Sequence, residues 1–187
     1  MSKRERSALV YAVMILAAVF AGSPVAADHP SDVKLCFSSS SDETDAAKRV
    51  PVCTRIINSG RLNKADLSGA YNWRGEAHRI LHQNDDALAD FAKSIETNPQ
   101  SVYPHTNRAE LYRNMGKYDL AIADVTEAIR LDPALTASYT VRGLAYEKIG
   151  DTAKARADFN KALSIPIKGF DGAWAQQVAR THLETPK

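Results

Sequence analysis

Two histidines in this sequence have a spacing that could bind a metal ion. His78 and His82 are four residues apart, so on a helix they would lie on one face at a spacing that suits a metal ion. No third ligand is evident beside them. His78 also shares a recurring position, described below, with Tyr112 and Tyr146, which favours a place in the core. We therefore predict no metal site and no cofactor.

The sequence also lacks a recognisable catalytic motif. It has no serine-nucleophile motif, no glycine-rich loop of the kind that binds phosphate, and no carboxylate pair in a defined setting. Asp85 and Asp86 are most simply the first turn of a helix, where carboxylates interact favourably with the positive end of the helix dipole. We therefore predict that the chain is not an enzyme. A metal-binding or enzymatic protein with a hidden site is a less favoured alternative.

Residues 1–27 have the pattern of a targeting segment. Three basic residues among the first six precede an apolar, uncharged stretch over 8–21, and small residues at 25–27 form a cleavage pattern. The apolar stretch has about 14 residues, fewer than the ~20 of a membrane-spanning helix. We predict a signal peptide cut after Ala27, a mature chain in the periplasm or secreted, and no stable membrane anchor after cleavage. An uncleaved anchor is the alternative.

Cys36 and Cys53 are the only cysteines of the chain. In an exported protein two cysteines most simply form one disulfide, and a loop of this size would stabilise the fold by roughly 3 kcal/mol in the chain-entropy model. Two unrelated buried thiols are the alternative. A redox-active pair is less favoured because there is no Cys-x-x-Cys motif, and a metal site is less favoured because no histidine lies at ligand spacing from either cysteine.

The net charge gives no reason to expect a nucleic-acid partner. The chain has 24 basic and 22 acidic residues, and residues 1–27 contain three of the basic and one of the acidic ones. The predicted mature chain therefore has 21 of each and is neutral. A protein that binds nucleic acid through its phosphates needs an excess of basic residues, so we predict no nucleic-acid partner.

A unit of two helices and a tight turn recurs along the chain. In the copy over 102–133, Gly116 can adopt the left-handed conformation that ends a helix, and Pro133 follows the second helix. Pro99 and Pro133 are 34 residues apart, and the same offset aligns rows of similar residues. These rows are Tyr71, His105 and Tyr139; Gly75, Ala109 and Gly143; Ala87, Ala121 and Ala155; Phe91, Val125 and Phe159; and Ser94, Ala128 and Ala162.

The period predicts three helix pairs. Small residues on facing helices let two backbones approach, and large ones fill the gaps between them. A helix-turn-helix unit at this period is typical of an all-α stacked solenoid. The predicted helices lie near 64–82 and 84–97, 102–115 and 118–131, and 136–149 and 152–164.

This pattern resembles the tetratricopeptide repeat (TPR) family over about 68–165. The resemblance implies an α-solenoid of about three helix hairpins, at 68–101, 102–135 and 136–167. Three features depart from the family: its usual tryptophan is Tyr or His, its usual leucine before the small residue is Arg, and Pro166 comes one residue early. The matching residues are Tyr71, Arg74, Gly75, His78, Ala87, Phe91 and Pro99; His105, Arg108, Ala109, Tyr112, Ala121, Val125 and Pro133; and Tyr139, Arg142, Gly143, Tyr146, Ala155 and Phe159.

The N-terminal end of the TPR domain, predicted over 42–187, needs a cap. Residues 42–60 are predicted to form a cap helix after a flexible lead-in over 28–41, and Pro51 either kinks that helix or marks its start. The stretch Cys53–Gly60 is similar to the lead-in of small exported TPR proteins of alphaproteobacteria. The resemblance implies a degenerate unit ahead of the first repeat, which would shield the exposed end of the solenoid.

The C-terminal end is predicted to carry a second cap helix. This helix is expected within 170–184, after glycines at 169 and 172 break the chain and place its regular part at about 173–184. Phe170 and Trp174 are expected to pack on the third repeat. Val178 shares the side of Trp174, and polar residues lie on the other side: Gln176, Arg180 and Glu184. The last three residues of the chain are expected to be frayed.

A row of arginines and a row of aspartates recur in the three repeats, each aspartate 16 residues after an arginine. The arginines stand beside the small residue, where an apolar side chain is usual. Because a partly buried arginine needs an anionic partner, we predict an internal ladder of ion pairs within or between repeats. The alternative is that both rows face water. The rows are Arg74, Arg108 and Arg142, and Asp90, Asp124 and Asp158.

The first helices of such a solenoid line a concave surface, where the resemblance implies that peptides bind. The candidate residues carry mixed charges, and Glu76 with Arg79 or Glu110 with Arg113 could simply pair. Ordinary solvent-exposed surface is the alternative for each of them. Some family members clamp a terminal carboxylate with a combination of lysines and asparagines, and because the candidates lack that combination, this class of ligand is disfavoured. The candidates are Asn72, Glu76, Arg79, Tyr103, Thr106, Glu110, Arg113, Thr140, Leu144 and Glu147.

We therefore predict a non-enzymatic interaction module or scaffold that binds a protein or peptide segment in the concave surface. The alternative from another class is a homo-oligomeric structural subunit that associates through the solenoid ends or the convex face. The sequence leaves the oligomeric state open and does not identify the partner, because a fold alone does not supply one.

Overall fold

The computed structural model describes residues 30–167 and 169–184, and their regular structure is helical throughout, as predicted. The predicted signal peptide at 1–27 and the end at 185–187 lie outside these residues. None of the helices in the described part is long and apolar enough to cross a membrane. The helices are α1 (Pro30–Cys36), α2 (Glu43–Asn58), α3 (Lys64–Ile80), α4 (Asn84–Thr97), α5 (Tyr103–Asn114), α6 (Tyr118–Leu131), α7 (Thr136–Lys148), α8 (Thr152–Ser164) and α9 (Gly169–Glu184).

Six helices form three hairpins, α3–α4, α5–α6 and α7–α8, with limits within two residues of those that the 34-residue period predicts. Each hairpin turns through a residue with positive φ: His82 at 57°, Gly116 at 74° and Gly150 at 83°. The backbone N–H of the following residue donates to a carbonyl five residues earlier, as from Lys117 to Tyr112 at 2.8 Å. This bond satisfies a carbonyl that the end of the first helix leaves unpaired.

Residue sizes on the two helices of each hairpin are matched. A Cβ atom added to Gly143 would lie 2.6 Å from Cε1 of Phe159, so the glycine is needed for the ring to fit. In the middle hairpin, Ala109 stands in place of the glycine and Val125 in place of the phenylalanine, and both are fully buried. The predicted rows of small and large residues therefore face each other. The pairs are Gly75 with Phe91, Ala109 with Val125, and Gly143 with Phe159.

The contacts between hairpins show which helices line the inner curve. The first helices α3, α5 and α7 pack directly on one another, and α7 also packs on α9. The second helices α4, α6 and α8 make no contact with one another in the described part, and each packs on the helix that follows it instead. The second helices are therefore farther apart, so the first helices line the inner side of the solenoid.

The N-terminal segment is more regular than the sequence predicted. The flexible lead-in predicted over 28–41 contains α1, so that prediction is wrong for this stretch. A disulfide between Cys36 and Cys53 joins α1 to α2 and confirms the predicted pair. Arg55 Nη2 also binds Asp32 at 2.8 Å. These links explain why a helix of 7 residues, which would be unstable alone, is present.

The predicted cap helix at the N-terminal end is α2. Its N-cap is Asp42, whose carboxylate accepts the backbone N–H groups of Thr44 and Asp45 at 2.8 and 3.1 Å. The helix continues through Pro51, which therefore does not mark its start. Arg49 lies on its buried stripe together with Ala46 and is completely buried.

The C-terminal helix differs from the prediction in its start and in its buried face. It begins at Gly169, so the glycines there do not break it. Trp174 was expected in the packed face but is 42% exposed, which corrects that prediction, and the side chain of Phe170 lies outside the described part. Gln176 was expected on the outer side but is buried, whereas Arg180 and Glu184 are exposed as predicted. The buried residues are Gly172, Ala175, Gln176 and Ala179.

The end of α8 explains this orientation. Gln176 Nε2 donates to the carbonyls of Ala162 at 3.1 Å and Ile165 at 2.6 Å. These groups belong to the C-terminal turn of α8, where carbonyls lack intrahelical partners and need other donors. The small residues of the buried face let α9 approach closely enough to supply one. Trp174 then points to the open end of the stack, where no further helix of the described part covers it.

Candidate functional site

The structure buries one predicted row of the concave surface. Asn72, Thr106 and Thr140 are 8%, 6% and 0% exposed, so the prediction that they line an open groove is wrong. Helical periodicity identified their face of the helix, but it could not show that the next first helix covers this position. Each of them hydrogen-bonds to that next helix: Asn72 accepts from Asn107 at 3.0 Å, Thr106 Oγ1 pairs with Ser138 Oγ at 2.9 Å, and Thr140 donates to the Ala175 carbonyl at 3.0 Å.

Seven candidates are at least partly exposed on the first helices, and we call this set the inner face. It consists of Glu76, Arg79, Tyr103, Glu110, Arg113, Leu144 and Glu147. Tyr103 in the first turn of α5 is 59% exposed, the largest exposure among the exposed large hydrophobic side chains of the described part. Beside it lies a recess of about 200 Å³ lined by Tyr103, Asp132, 134–137 and Gly172.

The charged residues of the inner face pair differently in each repeat. In the first repeat, Arg79 donates two hydrogen bonds to Glu76, at 2.9 and 2.5 Å. These bonds raise the pKa of Arg79 although its burial opposes the rise. In the second repeat, Arg113 and Glu110 are 4.0 Å apart. The inner face therefore holds one closed pair and one open pair at equivalent positions.

The third repeat has no glutamate–arginine pair at the equivalent positions. Leu144 stands in the row of Glu76 and Glu110, and Glu147 stands in the row of the arginines. The carboxylate of Glu147 lies 2.7 Å from Nδ1 of His182 on α9. The C-terminal helix thus supplies a partner for the acid of the last repeat.

The predicted charge ladder is present in all three repeats, each pair within one hairpin. Every arginine donates two hydrogen bonds, of 2.6–2.8 Å, to its aspartate, and the aspartates are buried. Burial alone would raise the pKa of Asp124, but hydrogen bonds from Arg108 and His105 outweigh it and lower that pKa. The pairs are Arg74–Asp90, Arg108–Asp124 and Arg142–Asp158.

Two ladder arginines also contact the preceding hairpin or cap. Arg74 Nη1 donates to Thr54 Oγ1 of α2 at 2.9 Å, and Arg142 Nη1 donates to Thr126 Oγ1 of α6 at 3.4 Å. The ladder therefore lies inside the stack and connects neighbouring units. It is a structural feature, separate from the inner face.

The two histidines considered as metal ligands have other surroundings. Nδ1 of His78 lies 2.6 Å from Gln83 Oε1, and its Nε2 lies 3.8 Å from Asp90. His82 is the exposed turn residue with positive φ. Among residues 30–167 and 169–184, no group of three or more side chains of the metal-binding types comes together.

Arg49 is the buried charge that the sequence reasoning missed. Its Nη2 donates to the Ser40 carbonyl, and its guanidinium lies 5.9 Å from the Trp73 ring centroid. Burial lowers its pKa, against the raising effect of the charges of Glu76 and Asp45. The signal was available, because Arg49 lies three residues after Ala46 on the stripe that faces the core.

Comparison with known families gives two adjacent matches. Residues 102–135 and 136–166 each match the tetratricopeptide repeat. They are the second and third copies of the 34-residue period. No curated protein matches the sequence.

The fold is similar to solved structures of TPR domains. The second TPR domain of human RPAP3, in complex with the HSP70 peptide SGPTIEEVD, has a TM-score of 0.51 at 22% identity over 63% of this chain and 95% of that one. The Arabidopsis OM64 TPR domain has a TM-score of 0.54 at 24% identity, over 64% and 99%. A TPR protein of Parabacteroides merdae has a TM-score of 0.61 at 17% identity, over 80% and 58%.

Proposed function

The chain is a tetratricopeptide repeat protein, and from this premise we propose that it is a non-enzymatic interaction module whose inner face holds an extended segment of another protein. The observation that carries the proposal is the exposed Tyr103 of the inner face, which lies beside a recess of about 200 Å³. A large aromatic ring next to a cavity is the kind of anchor that dominates binding energy at protein interfaces. The peptide held by the RPAP3 domain supports the same use of this fold.

The experiment places a photo-crosslinking amino acid at Tyr103 of the full chain in intact cells. Leu120 of α6 is the matched control, because it is 50% exposed but belongs to a second helix on the outer side. We expect one protein to crosslink from position 103 and not from position 120. Capture equal at both positions, or none from either, would contradict the proposal.

We also propose that the mature protein works in the periplasm or outside the cell. The predicted signal peptide at 1–27 supports this location, and so does the disulfide, since disulfides persist in oxidising compartments. The test is cell fractionation followed by N-terminal sequencing of the purified protein. We expect Asp28 as the first residue, and a cytoplasmic chain that begins at residue 1 would contradict the proposal.

A homo-oligomeric structural subunit is the second candidate function. It is favoured by the open C-terminal end of the stack, where Trp174 is 42% and Ile167 is 56% exposed. Light scattering on the wild type and on Trp174→Ser measures the solution mass. An oligomer that dissociates in the variant would support this candidate, and a monomeric wild type would end it.

A further inference from the structure

Two glutamate–arginine pairs occupy equivalent positions on the inner face, but only one of them is closed. Glu76 and Arg79 on α3 form two hydrogen bonds, whereas Glu110 and Arg113 on α5 are 4.0 Å apart at their closest atoms. Both pairs have the same i, i+3 spacing in a helix, so the local geometry permits closure in both. The difference must come from the surroundings of the second pair.

Arg113 is the arginine of the inner face that lacks a hydrogen bond. Its Nε is buried and has no hydrogen-bond partner. In the described part, the other buried side-chain polar atoms without a hydrogen-bond partner belong to Ser38 and Arg49 of the N-terminal segment. A buried N–H without an acceptor costs free energy, and the cost is larger when the group is charged.

Glu110 acts on the arginines of two repeats. Hydrogen bonds to Glu76 raise the pKa of Arg79 most, and the charge of Glu110 raises it further. Glu110 therefore interacts with the arginines of two repeats, one on each side. In the glutamate row, the position after Glu110 is Leu144, so this row offers Arg113 no second carboxylate.

We infer that Arg113 binds a side-chain carboxylate, from an aspartate or glutamate inside the partner segment, in the middle of the inner face. A guanidinium presents a planar fork of donors that matches the two oxygens of a carboxylate, and the side chain of Arg113 is 20% exposed, so an acid on the inner face can reach it although its Nε is buried. The inference rests on the proposed function, because it specifies the chemistry of the segment that the inner face holds.

The separation of Tyr103 and Arg113 would set a spacing in a segment that runs along α5. Arg113 is ten residues after Tyr103 on α5, which corresponds to about 15 Å along the helix axis. An extended chain covers this distance in about four to five residues. A partner segment that runs along α5 should therefore carry its acidic residue about four or five positions from the residue that contacts Tyr103.

The test selects peptides from a random library displayed on phage, with the mature chain 28–187 as the immobilised target. The peptides are joined to the coat protein through their C-termini, so no free terminal carboxylate is present and acidic preference reports side chains. We expect enrichment of peptides with one invariant Asp or Glu. The best peptide is then synthesised with an amidated C-terminus, together with its analogue in which Gln or Asn replaces the acid.

The decisive measurement is the affinity of both peptides for the wild type and for Arg113→Gln. We expect the acid to improve binding at least about tenfold on the wild type and to give no advantage on the variant, since loss of a close charge partner removes this much or more. Arg113→Lys should restore part of the advantage, because it keeps the charge without the fork. Arg130→Gln is the matched control, since Glu127 and Arg130 form the same i, i+3 pair on the outer side of the same repeat.

Two kinds of failure are distinguishable. Enriched peptides without an acidic preference, or an acid advantage that persists in Arg113→Gln, would overturn the inference and leave the interaction module standing. A library that yields no enriched peptide would overturn peptide binding by the inner face and the inference with it. Thermal unfolding of the variants shows whether a loss of binding reflects a loss of folded protein.

Discussion

The ladder and the inner face both contain arginines next to acidic residues, but only the ladder repeats the same ion pair in all three repeats. The ladder repeats one arginine–aspartate pair three times with bonds of 2.6–2.8 Å. The inner face has a closed pair, an open pair and a glutamate paired with His182. Each ladder pair sits between two packed helices of its own hairpin, so the buried aspartate of every repeat needs the same cationic partner. The inner face has no such constraint, and its differences between repeats are where specific recognition can arise.

The largest effect is expected from breaking the ladder. Arg142→Ala leaves Asp158 buried without a cation, and we expect a loss of about 2–3 kcal/mol in the free energy of unfolding, measured by urea titration. Arg130→Ala on the outer surface should leave the urea midpoint unchanged. Replacing both partners, as Arg142→Met with Asp158→Leu, should recover most of the loss. A single Arg142→Ala variant as stable as the wild type would show that the ladder is dispensable.

The second effect tests the regular packing beneath the ladder. In Gly143→Ala the new methyl group meets the Phe159 ring, and we expect a loss of about 2 kcal/mol, measured as a lower melting temperature. Combining it with Phe159→Val reproduces the residues of the middle hairpin and should recover part of this loss. A double variant less stable than both single variants would argue against matched sizes within a hairpin.

A smaller gain is expected where one repeat departs from the regular pattern. His82 holds a positive φ at the turn position that is glycine in the other two hairpins, and its side chain is exposed. His82→Gly should therefore raise the free energy of unfolding by about 0.5–1 kcal/mol, because glycine adopts this conformation without strain. The converse change, Gly116→His, should lower it. Thermal unfolding of both variants provides the measurement.

The smallest effects should separate the two inner-face arginines. Arg79→Gln breaks a closed pair and should cost about 0.5–1 kcal/mol, as expected for a pair near the surface. Arg113→Gln removes a charge with an unsatisfied Nε and should leave the stability unchanged or slightly higher, since binding residues are often not optimised for stability. If chemical denaturation shows Arg113→Gln to be the more damaging change, Arg113 has a structural role instead.

The sequence predicted most features of the three repeats and few features of the two ends of the solenoid. The 34-residue period gave the helix limits, the ladder and the small and large rows, because each feature recurs in three places. It missed α1, since a short segment beside a serine run shows no periodicity and depends on the disulfide for its order. It misplaced Trp174, because the face of the last helix is decided by the carbonyls at the end of α8.

Within the candidate site, the sequence identified the correct helices but not which residues stay accessible. Asn72, Thr106 and Thr140 share a helix face with exposed neighbours, and only the positions of adjacent hairpins show that they are covered. The open state of the pair between Glu110 and Arg113 was also beyond the sequence, because its spacing is identical to that of the closed pair.

The aromatic rings that occupy the space of the missing Cβ atoms have a mechanical consequence. With Phe91 seated against Gly75 and Phe159 against Gly143, the two helices of these hairpins cannot slide past each other without a steric clash, so the first and third hairpins should behave as stiff units. Within the described residues the second helices make no contact with one another, so bending should concentrate at the junctions between hairpins. We therefore expect the solenoid to bend at these junctions, so that its curvature adjusts to the length of the segment it holds.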